Sequence, residues 1–188
     1  MTKNKTRKKR TYSKEDYSSN DGMLTSVWGP GLWHYLHTIS FNYPIKPTCN
    51  DKVSYKNVIL DLKNTLPCGK CRKNLCNNLT ELPLTDKVMT SRETFSRYIY
   101  KLHELINKML NKESGLSYND VRERYEHFRA RCSIPFDKID ILPTVDKMED
   151  GCTEPLYGNK SKCILKIVPA TTKCETLEID KTCIKTKN

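Results

Sequence analysis

The sequence predicts an all-α protein: a four-helix bundle with a short fifth helix, preceded by a disordered basic N-terminal arm and followed by an irregular C-terminal tail that contains cysteines. Three observations predict it. Apolar residues recur at helical spacing in successive segments, helix-capping pairs precede two of those segments, and no alternating apolar and polar run occurs before residue 133. The expected organisation is residues 1–26 as arm and linker, 27–132 as the folded domain and 133–188 as the tail.

The arm is read from charge. Of the formal net charge of +11, seven Lys and Arg (Lys3, Lys5, Arg7, Lys8, Lys9, Arg10, Lys14) fall in residues 1–14, which hold no acid. The rest of the chain carries 26 basic against 22 acidic residues and is nearly balanced. A basic run without apolar spacing cannot bury enough surface to fold, so its expected role is a solvated arm with weak, salt-dependent affinity for polyanions, nucleic acid among them. Residues 15–26, polar and turn-rich, read as a linker.

The first helix follows from Leu32, Leu36, Ile39 and Tyr43, which share one face from Trp28 to Tyr43 until Pro44 stops it. Tyr55, Ile59, Leu62 and Leu66 repeat the pattern and define a second helix over about 51–66. A shorter third carries Cys68 to about Leu79. Thr90 with Glu93 forms an expected capping box ahead of Phe95, Ile99, Leu102, Ile106 and Met109, the longest helix, which runs until Gly115. Ser117 with Asp120 caps a fifth, with Val121, Tyr125, Phe128 and Cys132 in period. Beyond Cys132 the chain turns to Pro, Thr, Lys and isolated β-branched pairs, enough for short strands but not for a second core.

No run approaches the roughly 18 consecutive apolar residues that span a bilayer, and the N-terminus lacks the apolar stretch of a signal peptide. The expectation is a chain with neither a transmembrane segment nor an export signal. Nine cysteines conflict with that, because thiols inside cells are kept reduced and cysteine-rich frameworks belong to secreted proteins. Either the cysteines bind metal or the protein acts on thiols.

Pro67-Cys68-Gly69-Lys70-Cys71 places a Cys-x-x-Cys where a helix begins. One helical turn brings the two sulfurs within bonding reach, and the helix N-terminus with Lys70, Arg72 and Lys73 favours a thiolate. Half of a zinc site, a thioredoxin-like motif or an inert disulfide also contain such a pair. The chain has no second Cys-x-x-Cys, although Cys76, His34, His37, His103 and His127 are available as ligands. The βαβ context of thioredoxin is missing. Trp33 and His37 on the first helix and His103 and Asn107 on the fourth stand four residues apart, which sets aromatic and imidazole groups on two facing helices, a slot for a flat ring.

Three stretches carry a resemblance: Trp28-Gly29-Pro30-Gly31-Leu32-Trp33-His34-Tyr35-Leu36-His37 with Tyr43-Pro44, then the Cys68–Cys71 motif, then Leu102-His103-Glu104-Leu105-Ile106-Asn107-Lys108-Met109-Leu110-Asn111-Lys112. In this order and spacing, across about residues 27–132, they resemble the Erv/ALR family of FAD-linked sulfhydryl oxidases. The Trp-Gly-Pro variant most resembles the forms encoded by large nucleocytoplasmic DNA viruses, which implies the host cytoplasm or the virion as location.

The resemblance implies a four-helix bundle with a short fifth helix, a homodimer, protein dithiols as substrates and molecular oxygen as electron acceptor. It implies Cys68 and Cys71 as the catalytic pair, with substrate thiolate attacking Cys68, and hydrogen peroxide as product. It assigns FAD contacts to Gly29, Trp33, His37, Tyr43, His103, Asn107, Leu110 and Lys112, with Tyr125 replacing a family tryptophan, and it implies no metal. Two departures stand out: Glu104 replaces the first Asn of the family's His-Asn-x-Val-Asn, and the usual partner of Cys132 is lost near Tyr118. Cys152, Cys163, Cys174 and Cys183 either shuttle electrons from substrate or staple the tail, Cys49 and Cys76 pair with one another or with Cys132, and the odd total leaves at least one cysteine free or intermolecular. A non-enzymatic zinc-binding or scaffold module with a polyanion-binding arm is the alternative, and a flavin-free thiol–disulfide exchanger a third reading.

Overall fold

The computed structural model describes residues 12–131, 152–175 and 177–184. Cys132 and the Lys3–Arg10 part of the basic arm lie outside the described residues. Ser13 caps a one-turn helix, α1 (Lys14–Tyr17), inside the stretch expected as linker. Helix α2 (Thr25–Asn42) starts three residues ahead of Trp28 and ends where Tyr43 turns extended before Pro44. Pro30 is tolerated within its second turn, where the missing N–H costs one hydrogen bond. Thr48 and Asp51 form a capping box for α3 (Cys49–Thr65). Helix α4 (Gly69–Glu81) follows, with Cys68 as its N-cap.

The cap of α5 (Arg92–Met109) corrects the sequence expectation by one residue: Ser91 and Thr94 form the box, not Thr90 and Glu93. Thr90 is consumed in a 3-10 turn, Val88–Thr90, where its hydroxyl donates to the Lys87 carbonyl at 2.8 Å. Glu93 instead pairs with Arg97 one turn on, at 2.8 Å. Ser117 and Asp120 cap α6 (Tyr118–Glu126).

Helix α6 stops six residues short of Cys132. Arg129 folds back onto it, its guanidinium bonding Glu126 at 2.8 Å and the Phe41 carbonyl at 2.6 Å. The chain then enters β1 (Ala130–Arg131), which pairs antiparallel with β2 (Glu154–Pro155), Ala130 opposite Pro155. Leu156 N–H donates to the Arg129 carbonyl at 2.7 Å, so the start of the described tail is tied to the end of the bundle. The rest of the described tail is irregular apart from a 3-10 turn, Lys181–Cys183.

Helices α2 and α5 form the principal contact of the bundle. The main core fills the space between α2, α3, α4 and α5, with Tyr43, Ile59, Phe95 and Ile99 fully buried. A second cluster, Phe41, Tyr118, Val121 and Tyr125, seats α6 on α2. Buried hydroxyls find partners, as burial demands: Tyr43 donates to the Met89 carbonyl at 3.0 Å, Tyr98 to the Leu82 carbonyl at 2.9 Å, and Ser96 shares a 2.8 Å bond with Tyr118. No described helix is long and apolar enough to cross a membrane.

Candidate active site

Cys68 and Cys71 are joined in a disulfide, their Cα atoms 5.2 Å apart. The geometry follows from the motif's place. Cys68 is extended while Gly69 enters the helix, so the Cys68 sulfur turns back over the first turn and accepts the Cys71 N–H at 3.2 Å. The pair therefore sits at the positive end of α4, where negative charge on sulfur is stabilised. The two cysteines are not equivalent: Cys71 packs against the main core, the same core on which Leu32 and Trp33 pack. Cys68, the N-cap residue, is not among the residues packed against that core.

The aromatic and imidazole groups on α2 and α5 meet. Trp33 and His103 stack with ring centroids 3.8 Å apart and planes 6° from parallel. His37 and His103 share a hydrogen bond of 3.0 Å between Nε2 and Nδ1. Tyr125 comes in from α6, 5.4 Å from His37. Because Trp33 and His103 touch, no flat ring fits between them; a planar group has to pack on an outer side of the pair. His37 is buried, and its Nδ1 has no protein partner. An unsatisfied buried nitrogen costs free energy that the hydrogen-bonding edge of a ligand offsets.

Burial, helped by the neighbouring His103 and His34, pushes the His37 imidazolium down to about 3. Burial pushes His103 down to about 4, against a smaller opposite pull from Glu104. Both rings are thus neutral at neutral pH. Because both folded values lie below the unfolded histidine value of about 6.5, the unfolded chain takes up protons that the folded one refuses as pH falls from about 6.5 toward about 4. Stability is therefore lost on acidification through that window and unaffected by these groups above it. Urea denaturation at pH 7 and pH 5 is expected to differ by roughly 2 to 4 kcal/mol from this pair; a flat profile overturns the assignment of two neutral, buried imidazoles.

The Erv1 / Alr family profile matches residues 30–126 of the 188-residue chain, more than half of it. The chain belongs to the Erv1 / Alr family. Among its relatives is a protein of Acanthamoeba polyphaga mimivirus named probable FAD-linked sulfhydryl oxidase, 36% identical over 104 residues, or 55% of this chain and 72% of that one. Another is an FAD-linked sulfhydryl oxidase of African swine fever virus (isolate Tick/Malawi/Lil 20-1/1983), 31% identical over 115 residues, or 61% of this chain and 92% of that one. Among solved structures the yeast Erv1 core is similar at 26% identity with a TM-score of 0.51, covering 64% of this chain and 95% of that one.

Within this Erv1 / Alr domain the residues assigned to FAD do not all come together. Trp33, His37, His103 and Tyr125 do, and Asn107 lies one turn beyond His103 on α5. Gly29 stands one turn before Trp33 on open ground, since a Cβ there would meet only the Thr25 methyl at 3.8 Å. Leu110 and Lys112 are exposed in the turn after α5, where Lys112 N–H donates to the Asn107 carbonyl at 2.9 Å. Tyr43 is set apart from the cluster: it is a core residue, 0% exposed, and its hydroxyl is spent on Met89. Glu104, the departure from the family pattern, accepts the Asn107 side-chain amide at 3.0 Å and so restrains it.

Two neighbours escaped the sequence reading. His34 bonds the Tyr125 hydroxyl at 3.3 Å through Nδ1, and Phe41 stacks on Tyr125 at 5.4 Å. Their spacing around His37 on α2 was visible, but the approach of α6 to that face was not. Of the other cysteines, Cys49, Cys76, Cys163, Cys174 and Cys183 are free thiols and Cys152 is disulfide-bonded. Neither Cys49 nor Cys76 has the pairing considered for it.

Proposed function

We propose that this protein is an FAD-dependent thiol oxidase that forms disulfides in protein dithiols and delivers the electrons to molecular oxygen as hydrogen peroxide. The observation that carries the reading is the Cys68–Cys71 disulfide at the start of α4, with Cys71 packed on the same core as Trp33. The relatives named as FAD-linked sulfhydryl oxidases support it.

The residues present fit the cofactor: a neutral Trp33–His103 stack, an unsatisfied His37 nitrogen and Tyr125 offer a flat, uncharged surface with one hydrogen-bonding point. Gly29, Trp33, His37, Tyr43, His103, Asn107, Leu110, Lys112 and Tyr125 would hold it, Tyr43 from within the core. When bound, FAD supplies the two-electron redox chemistry that cysteine lacks with oxygen. The chain's own part is thiol exchange. A substrate thiolate attacks the Cys68 sulfur, the Cys68–Cys71 bond breaks, and Cys71 leaves as a thiolate; the second substrate thiol then resolves the mixed disulfide and frees Cys68. The α4 N-terminus favours the negative charge that develops on Cys71, and the Cys71 N–H, which donates to the Cys68 sulfur at 3.2 Å, favours Cys68 as the thiolate freed when the mixed disulfide is resolved.

A homodimer belongs to the same reading, with exposed Val27 and Tyr35 on α2 and Val53 on α3 as apolar surface for a second copy. The viral relatives support the host cytoplasm or the virion as its location. The zinc-binding or scaffold alternative is not favoured, because the family relation runs to thiol oxidases. The test is an absorbance spectrum of purified protein with an oxygen-electrode trace in dithiothreitol. A flavin band at about 450 nm and thiol-dependent oxygen uptake are expected; folded, colourless protein that takes up no oxygen overturns the reading.

A further inference from the structure

The segment ahead of α2 reaches the catalytic disulfide. Met23 N–H donates to the Pro67 carbonyl at 2.8 Å, and the Trp28 indole N–H donates to the Met23 carbonyl at 3.0 Å. Gly22 passes so close that a Cβ there would lie 2.7 Å from the Pro67 oxygen and 3.3 Å from the Cys68 Cα. Side chains larger than hydrogen do not fit without moving backbone. These contacts set the first residue of α2, Thr25, with its hydroxyl 3.8 Å from the Cys71 sulfur. A disulfide sulfur carries no proton, so the hydroxyl is the donor. All four residues precede the stretch that the family profile matches.

We propose that Thr25 is a catalytic hydrogen-bond donor to Cys71, and that Gly22 and Met23 are positioning residues that hold it there. The inference rests on the proposed thiol relay. When substrate thiolate adds to the Cys68 sulfur, the electron pair of the broken S–S bond passes to Cys71. The Thr25 hydroxyl then faces a full thiolate, and a hydrogen bond to an ionised acceptor is stronger than one to a neutral sulfur. The contact therefore stabilises the leaving group, not the resting disulfide, and makes Cys68–Cys71 easier to reduce.

The test uses the full chain carrying Cys68→Ser, in which Cys71 is the lone thiol of the motif, with its ionisation followed by the pH dependence of iodoacetamide alkylation of the Cys71 peptide, read by mass spectrometry apart from the free thiols of Cys49, Cys76, Cys163, Cys174 and Cys183. Adding Thr25→Val, which keeps shape and loses the hydroxyl, is expected to raise the Cys71 thiol pKa and slow alkylation at pH 7 by roughly threefold to tenfold. Thr25→Ser restores the parent value. Gly22→Val reproduces the Thr25→Val shift with Thr25 intact, because it lifts the segment off Pro67. With both cysteines present, Thr25→Val poises toward the disulfide in a glutathione buffer by the same factor. An unchanged thiol titration in Thr25→Val overturns the proposal. That result leaves the relay standing, since the relay fails on a different observation, undiminished turnover in Cys71→Ser.

Discussion

Cys71→Ser is expected to reduce oxygen consumption with any thiol to the uncatalysed background, a fall of roughly 10³-fold or more, while bound flavin is retained. Without the Cys71 sulfur there is no disulfide for a substrate thiolate to attack and no leaving group to carry the electron pair onward. Cys68→Ser is expected to block oxidation of protein dithiols to a similar degree for a different reason, because the sulfur that receives substrate is gone. The fold is not at stake in either variant. The disulfide closes a loop of only three residues of sequence separation, the kind that contributes least to stability, and the core beneath it is built by Leu36, Leu75 and Leu102. Oxygen uptake with dithiothreitol, read beside the flavin spectrum of each variant, separates lost chemistry from lost cofactor. Full activity in Cys71→Ser ends the proposed relay.

How much of this was legible in the sequence depended on whether a feature was local. The four long helices were readable because Leu32, Leu36 and Ile39, or Phe95, Ile99 and Leu102, mark a buried face with a 3.6-residue period that no loop imitates. The Ser117–Asp120 box was readable for the same reason: a cap is a contact between residues three apart. The cap of α5 misled because Thr90-Ser91 and Glu93-Thr94 offer two overlapping boxes, and the choice is made by a 3-10 turn whose Met89 is buried against the core. Helix α6 was overextended because Phe128 continued the apolar period, whereas Arg129 reaches the Phe41 carbonyl of α2 and redirects the chain. In the site, motif spacing found the cysteine pair and the Trp33–His37 and His103–Asn107 faces. It had no access to contacts made across the fold, so His34 on Tyr125, and Gly22 and Met23 against Pro67, were invisible. Nor does spacing show that Tyr43, which closes the apolar face of α2, ends inside the core with its hydroxyl on the Met89 carbonyl.

His103→Ala is expected to release flavin, with binding weakened roughly 10-fold to 100-fold and yellow colour lost on gel filtration. The side chain does two things at once. It forms the stack with Trp33 at 3.8 Å, and it shares the 3.0 Å hydrogen bond that fixes the buried His37 ring. An aromatic pair and a partly buried hydrogen bond are each worth about 1 kcal/mol, and losing both frees Trp33 to tilt and leaves His37 without a partner at either nitrogen. His103→Gln distinguishes the two contributions, because an amide can bond His37 but offers no ring to stack; flavin affinity between that of the parent and of His103→Ala is expected. Both variants are expected to keep the bundle, since the α2–α5 contact rests on Leu36, Ile99 and Leu102 and not on the imidazole. Flavin-to-protein ratio after gel filtration, with helical circular dichroism as the fold control, decides the matter: undiminished cofactor in His103→Ala removes the α2–α5 imidazole pair from the binding site and moves the cofactor elsewhere along the Cys71 face of the bundle.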